Sequence, residues 1–541
     1  MDSCCINRKQ MNYMLYLEKE KNMFKKNLMK SAAIALALSL VVSAAACANT
    51  AVTGTENSAA VEEAVEAPAD KNADTAEKAS EDAGESSEYS EEISCTEDGA
   101  HAIEADGTEE AYENVHITKT GSSDLGDEAD FYGDNAAVFA TNGASLTLTD
   151  VSIETDGTHA NAVFSYGEGT TVTISGSEIE TSGDCSGGLM TTGGAAMNAS
   201  DCNVHTTGRS SAAIRSDRGG GTVIVDGGTY TTDGMGSPAI YSTADITVSN
   251  ASLTSTASQG VVVEGRNSVT LNNVVLTADN NTKNSDKSDT YQAVMIYQSM
   301  SGDAAEGLAS FSMTDGTLVN KNGDIFFINN TVADITLDNV TITNEDPDGV
   351  LLRAEAAGWG NDGSNGGQVN FYLNQQTVEG DMVVDEVSAL NLYLASESSF
   401  SGAINAADEG DVYVEIEDGS TWSLTGDSYI SALTCSEDAI VLNGYTLYVD
   451  GTAYTEGTAS EGEALVLSSG SANMGGRPEM PGNGERPEMP ADGERPEMPA
   501  DGEGMPQMPG GMNGMNKPEG APDGTPPELP SGEMPPAPPQ N

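Results

Sequence analysis

Arg215, Tyr241 and Glu264 fall at one phase of a repeated pattern, 26 and then 23 residues apart. If successive copies stack, a guanidinium, a phenol ring and a carboxylate share one outward ridge. That set suits an acidic or neutral sugar, with the ring stacking on Tyr241 and the charged groups taking hydroxyls or a sugar carboxylate. Arg353 and Trp359 form a second place where an aromatic would meet a sugar. Asp279, Asp286 and Asp289 offer oxygens of the kind Ca²⁺ takes, although no EF-hand spacing accompanies them. His101, His116, His159 and His205 stand singly beside strand positions and read as surface or ladder residues, with no Ser-His-Asp set. The seven cysteines contain no Cys-x-x-Cys pair. Among Cys95, Cys185, Cys202 and Cys435, only Cys185 and Cys202 fall within about one coil of each other, which leaves a disulfide between them open.

The elements that must position these residues are written in the stretch from Thr222 to Asp279. It reads TVIVDGGTYTTDGMGSPAIYSTA, then DITVSNASLTSTASQGVVVEGRN, then SVTLNNVVLTAD. In each copy two apolar residues alternate with polar ones: Val223 and Val225, Ile246 and Val248, Val269 and Leu271. This is the period of a half-buried strand. Two residues later stands Gly227, Asn250 or Asn273, types that tolerate a left-handed backbone and so mark a corner. A second apolar point follows (Tyr230, Leu253, Leu276), and then a third run (Ala239-Ile240; Val261 to Val263). Three strands and three corners in about 23 residues are one coil of a solenoid. The corner column extends both ways as Asn114, Asp150, Gly176, Asp201, Gly227, Asn250, Asn273, Asp315 and Asn339. Polar insertions at 279–292 (DNNTKNSDKSDTYQ) and 354–367 (AEAAGWGNDGSNGG) are expected to emerge as side loops that shape a groove. QVNFYLNQQ, ALNLYLASESS, DVYVEIEDGS and AIVLNGYTLYVDG read as closing coils, with Trp422 packed among them. The expectation is an all-β solenoid of about thirteen coils, main coils over 108–367 and closing coils over 368–467.

Acidic residues outnumber Lys plus Arg by 85 to 22, a formal charge of −63. That balance excludes nucleic acid as a partner, since phosphates need a basic surface. Residues 1–46 comprise an upstream stretch and, from Met23, a basic then apolar run ending Ser-Ala-Ala-Ala before Cys47. The true start is either Met1 or Met23. Residues 47–107 are acidic and poor in large apolar side chains, the composition of a disordered tether. Residues 468–541 repeat GERPEMPAD and read as an extended Pro/Met/Gly-rich tail.

The run before Cys47 resembles the lipobox of bacterial lipoproteins, with Ala44 where Leu is usual. The resemblance implies acylation of Cys47, a membrane anchor through that lipid, and display on the extracellular face of the bacterial membrane. The coils from Asn114 to about Gly451 resemble right-handed parallel β-helices of the pectin-lyase-like superfamily, and most of all surface lipoproteins of Gram-positive bacteria. Trp422-Ser-Leu-Thr-Gly-Asp-Ser-Tyr429 and Asn443-Gly-Tyr-Thr-Leu-Tyr-Val-Asp-Gly451 are similar to closing coils of that group. Hydrolases of this fold are similar to one another in paired-Asp, Gly-His-Gly and Arg-x-Lys strings that do not occur here. Lyases of the fold use Ca²⁺ and an Arg base, for which Arg215-Ser216-Asp217-Arg218 is the one comparable string. The expected function is a non-catalytic, monomeric, lipid-anchored β-helix that binds a polysaccharide or host glycan. A polysaccharide lyase and a structural stalk are the alternatives.

Overall fold

The computed structural model describes residues 89–468. Residues 1–88, among them Cys47 and the lipid anchor expected there, and the tail from 469 lie outside the described residues. Within them the alternating stretches form the expected strands. Gly221–Asp226 pairs in parallel with Asp245–Ser249, which pairs with Ser268–Asn272. Val223, Ile246 and Val269 thereby share one line, and Val225, Val248 and Leu271 the next. All six are at most 1% exposed. Full burial of such side chains contributes about 1.5–3 kcal/mol each. The residues between them face out, Thr247 and Thr270 polar but Ile224 apolar and 48% exposed, so one register satisfies every coil.

Repetition of this unit gives a parallel β-helix. One parallel sheet has 21 strands and another has 11, with a 4-stranded and a 3-stranded sheet in the closing coils. From Glu109–Glu113 to Ala432–Cys435, twelve consecutive parallel pairings link thirteen rungs of one ladder. Among the described strands the pairing of Leu447–Val449 with Thr452–Ala453 alone is antiparallel. Its turn is Asp450-Gly451, both left-handed, the residue pair that a tight hairpin favours. This hairpin folds over the last coils, and Trp422 is fully buried beneath them, donating Nε1–H to Gly402 O at 3.0 Å.

All nine corner residues have a left-handed backbone, with φ between 48° and 82°. The asparagines add a side-chain ladder: Asn250 Nδ2 donates to Asp226 Oδ1 at 2.6 Å and Asn273 Nδ2 to Asn250 Oδ1 at 2.9 Å. The column continues through Gln375 and Ser396, types that its residue preference does not reveal. Asn250→Val is expected to destabilise the protein by about 1–2 kcal/mol, the cost of a branched residue in this conformation. An unchanged denaturation midpoint would contradict it.

A second corner, before the strands Leu189–Thr192, Ile214–Ser216 and Ile240–Ser242 of the 11-stranded sheet, is built by a motif Thr-x-Gly-x-x-Ser. It recurs at Thr181–Ser186, Thr206–Ser211 and Thr232–Ser237. Each Thr hydroxyl closes the turn by donating to the carbonyl of its Ser. Each Ser hydroxyl joins coils: Ser211 Oγ accepts from Ser186 N (2.9 Å) and donates to Gly183 O (3.0 Å), and Ser237 Oγ repeats this with Ser211 N and Gly208 O (2.8 Å each). The residue before the Ser is left-handed, φ 55° at both Cys185 and Ser210. His159, φ 58°, holds the same place one coil earlier.

One expectation is corrected and one open alternative is decided. The stack begins before residue 108: Glu91–Cys95 pairs with Val115–Lys119 and Ile103–Asp106 with Val138–Thr141. These strands carry few large apolar residues, so composition hides them inside the tether. Cys185 and Cys202 are both free. Cys202 points into the core, and Cys185 sits at the outer second corner.

Candidate functional site

The strands of the 11-stranded sheet send alternate side chains outward, and register places these in one column. It runs Phe139, Phe164, Met190, Arg215, Tyr241, Val262, Met295, Phe327, Arg353. An apolar outer column needs cover, which insertions supply. The short helix Asp127–Tyr132 lies over one end, its Phe131 carbonyl accepting from Thr192 Oγ1 at 2.8 Å. Arg218 stacks on the Phe131 ring at 3.9 Å and grips Asp303 Oδ1 through Nε (2.9 Å) and Nη2 (2.6 Å). At the other end the insertions around 283–291 and 355–365 are pinned together: Lys287 Nζ donates to Gly358 O, and Gly358 N to Lys287 O, both at 2.7 Å.

Arg215 and Tyr241 are directly paired, as their spacing predicts. The ridge, however, is roofed rather than exposed. Arg215 is 14% exposed, and its Nη2 stands 3.2 Å from Asp130 Oδ2 and 2.7 Å from Asp217 Oδ2. The second approach lies off the N–H direction, so Asp217 Oδ2 has no aligned donor despite the short distance. Asp130 comes from the helix; its Oδ1 meets His159 Nδ1 at 3.1 Å and Asn161 Nδ2 at 3.3 Å. Glu264 lies two residues beyond Val262, the partner of Tyr241, and is buried. Its Oε2 accepts from the hydroxyls of Tyr241 and Tyr297, the latter at 3.1 Å, while Oε1 has no partner.

Burial raises both tyrosines well above their ordinary range, keeping them as donors. Burial also opposes ionisation of Asp130, but Arg215 with His159 and Asn161 outweighs it and holds the carboxyl low. At Asp217 burial wins over Arg215, Asp130 and Glu264 add repulsion, and its pKa is pushed up to about 7. Above about pH 4 the unfolded chain has lost this proton, whereas the folded chain keeps it to about 7. The folded state then binds more protons, and stability falls as pH rises through that window. His205, raised first by its hydrogen bond to Asp233 and then by Glu180, acts in the same direction. Asp130 and Asp233 lie low and act only in stronger acid. A higher melting temperature at pH 5 than at pH 7.5 is expected, with Asp217→Asn removing most of the difference. Superimposable pH profiles for the two proteins would contradict this.

Trp359 stands edge-on to Tyr297, ring centroids 5.1 Å apart, over the cluster of Val262, Met295 and Phe327. Beside it opens a cleft of about 130 Å³, lined by Tyr241, Tyr297, Trp359, Gln259, Asn280 and Asn284 among others. Tyr241 and Trp359 are thus brought together at the cleft, with Glu264 behind Tyr241; Arg215, the register partner of Tyr241, is not in the cleft lining. Arg353 lies farther along the column, ion-paired with Asp324 (2.6 Å) and Glu355 (3.2 Å). Of the Ca²⁺ candidates, Asp286 and Asp289 are fully exposed and face Lys283 at 3.5 and 2.6 Å, and Asp279 sits at the root of the loop. His116 and His205 are ladder residues bonded to Glu92 and to Glu180 and Asp233, but His159 is buried on Asp130 rather than at the surface. Asp130 and Tyr297 escaped the sequence reading; Tyr297 was discoverable as the register partner of Glu264. Compared with protein-family models, curated proteins and solved structures, the chain matches none of them.

Proposed function

We propose that this chain is a non-catalytic surface β-helix of the pectin-lyase-like kind, anchored through Cys47 to a Gram-positive cell membrane, that binds a neutral glycan at the Tyr241–Trp359 cleft. The observation that carries this reading is the orientation of the two tyrosines. Both hydroxyls are turned back onto Glu264, so the cleft is offered aromatic carbon together with Trp359 and the amides of Gln259, Asn280 and Asn284. Rings that meet C–H faces and amides that meet hydroxyls are carbohydrate chemistry. The cleft is smaller than the 300–1,000 Å³ of drug-sized sites, which suits one sugar unit or a chain end.

Charge favours a neutral ligand. Lys283, the cation lining the cleft, faces Asp286 and Asp289, and Arg215 and Arg353 each serve two carboxylates. A chain of charge −63 repels polyanions at long range. The acids Asp217 and Glu264 lie behind the tyrosines rather than in the cleft lining, which supports binding over the lyase alternative. On a panel of immobilised polysaccharides the full chain is expected to retain neutral polymers over uronates, without releasing unsaturated products. Trp359→Ala is expected to weaken retention about 30-fold, the effect of losing a ~2 kcal/mol aromatic anchor. Release of unsaturated uronides would overturn the reading in favour of a lyase, and binding to no polymer would favour a stalk.

A further inference from the structure

The second corner places His159 and Cys185 at equivalent positions of adjacent coils. Both are left-handed, and each donates its backbone N–H across to the next coil: His159 to Asp184 O (2.9 Å) and Cys185 to Arg209 O (2.8 Å). Side chains at such positions leave the corner in parallel, about 4.8 Å apart. The third member, Asp130, arrives from the helix and sets Oδ1 3.1 Å from His159 Nδ1. Among the described residues, Asp130, His159 and Cys185 are the one group of three whose donor atoms all lie within 4.8 Å of one another. Asp130 and His159 are buried, while Cys185 is half-buried and free.

We infer that Asp130, His159 and Cys185 form a binding site for a borderline divalent cation of the Zn²⁺ class. The donor set decides the class. Ca²⁺ and Mg²⁺ take oxygens, whereas imidazole, thiolate and carboxylate together are a zinc set. Tetrahedral zinc bonds of about 2.0–2.3 Å put donor atoms roughly 3.3–3.8 Å apart, so Asp130 and His159, 3.1 Å apart in a direct hydrogen bond, need part only slightly, while the sulfur, within 4.8 Å of both, settles to the same spacing. On binding, the metal displaces the thiol proton to solvent, and the imidazole proton moves from Nδ1 to Nε2. Thiolate and carboxylate then balance the two charges of the ion. Arg215 on the other oxygen of Asp130 aims the carboxylate, the role of outer-shell partners in metal sites. Half-exposure of Cys185 leaves the fourth position to water or to an exogenous ligand.

The test is titration of the full chain under reducing conditions with Zn²⁺, and separately with Co²⁺ as a spectroscopic substitute. One equivalent of Zn²⁺ is expected to bind and to persist in excess Ca²⁺, and Co²⁺ is expected to give a thiolate charge-transfer band. Cys185→Ser should abolish that band and lower Zn²⁺ affinity by more than the 10–100-fold typical of outer-shell changes. Serine occupies the equivalent left-handed position in the next coil at Ser210, so this variant keeps the corner. His159→Asn, also compatible with the left-handed backbone, should lower affinity comparably, and Cys95→Ser should leave both signals intact. A band that survives Cys185→Ser, zinc binding that Ca²⁺ displaces, or no bound zinc in a normally folded chain would overturn the assignment.

Discussion

Gly208→Ala is expected to destabilise the protein by about 3 kcal/mol or more, the upper end of what overpacking costs. An added Cβ would lie 1.8 Å from Gly183 O, 2.5 Å from its carbon and 2.9 Å from Ser211 Oγ. A Cβ added at Gly183 would likewise lie 2.0 Å from Gly157 O, and one at Gly234 1.8 Å from Gly208 O. The turns therefore rest directly on one another, backbone to backbone, and a methyl group can be admitted only by prising coils apart. That would also break the Ser211 bridge between Ser186 N and Gly183 O. Gly143→Ala is the control. Its φ is 79° but nothing lies within 4 Å, so only backbone strain of about 1–2 kcal/mol opposes it. Equal losses in the two variants, by chemical denaturation, would contradict the stacked-turn explanation.

Arg215→Met is expected to cost about 3–5 kcal/mol at pH 7.5, the range for removing one partner of a buried ion pair. The guanidinium stands between Asp130 and Asp217, and Glu264 is close enough to raise Asp217 further. Methionine fills much of the volume but leaves these acids facing one another. The loss should shrink at pH 5, where Asp217 keeps its proton and Asp130, no longer held low by Arg215, more readily takes one. A loss below about 1 kcal/mol, or one independent of pH, would show that the cluster does not depend on this cation.

The coils were readable in the sequence because two physical constraints act on every one. Inward positions must be apolar, as at Val223, Ile246 and Val269, and the left-handed corner admits few residue types, as at Asn250 and Asp315. The pairing of Arg215 with Tyr241 follows from that count alone. Its burial does not. The roof comes from segments that interrupt the repeat: Asp130 from a six-residue helix in the long gap between Asn114 and Asp150, and Trp359 from the second insertion. Insertions carry no period, so nothing in the sequence states where they fold back. Glu264 reaches Tyr241 diagonally, through the length of a phenol, rather than by direct pairing. The Thr-x-Gly-x-x-Ser turns were in plain view, and their spacing alone would have set Cys185 beside His159.

Glycan recognition at the cleft is tested most directly by intrinsic fluorescence. The chain has two tryptophans: Trp422 is fully buried in the closing coils and Trp359 borders the cleft. Titration with neutral oligosaccharides is expected to give a saturable change in emission that uronate oligomers do not produce. Trp359→Phe should lose it while melting at the wild-type temperature. Emission that stays flat with every neutral glycan, or a response that survives Trp359→Phe, would contradict binding at this site.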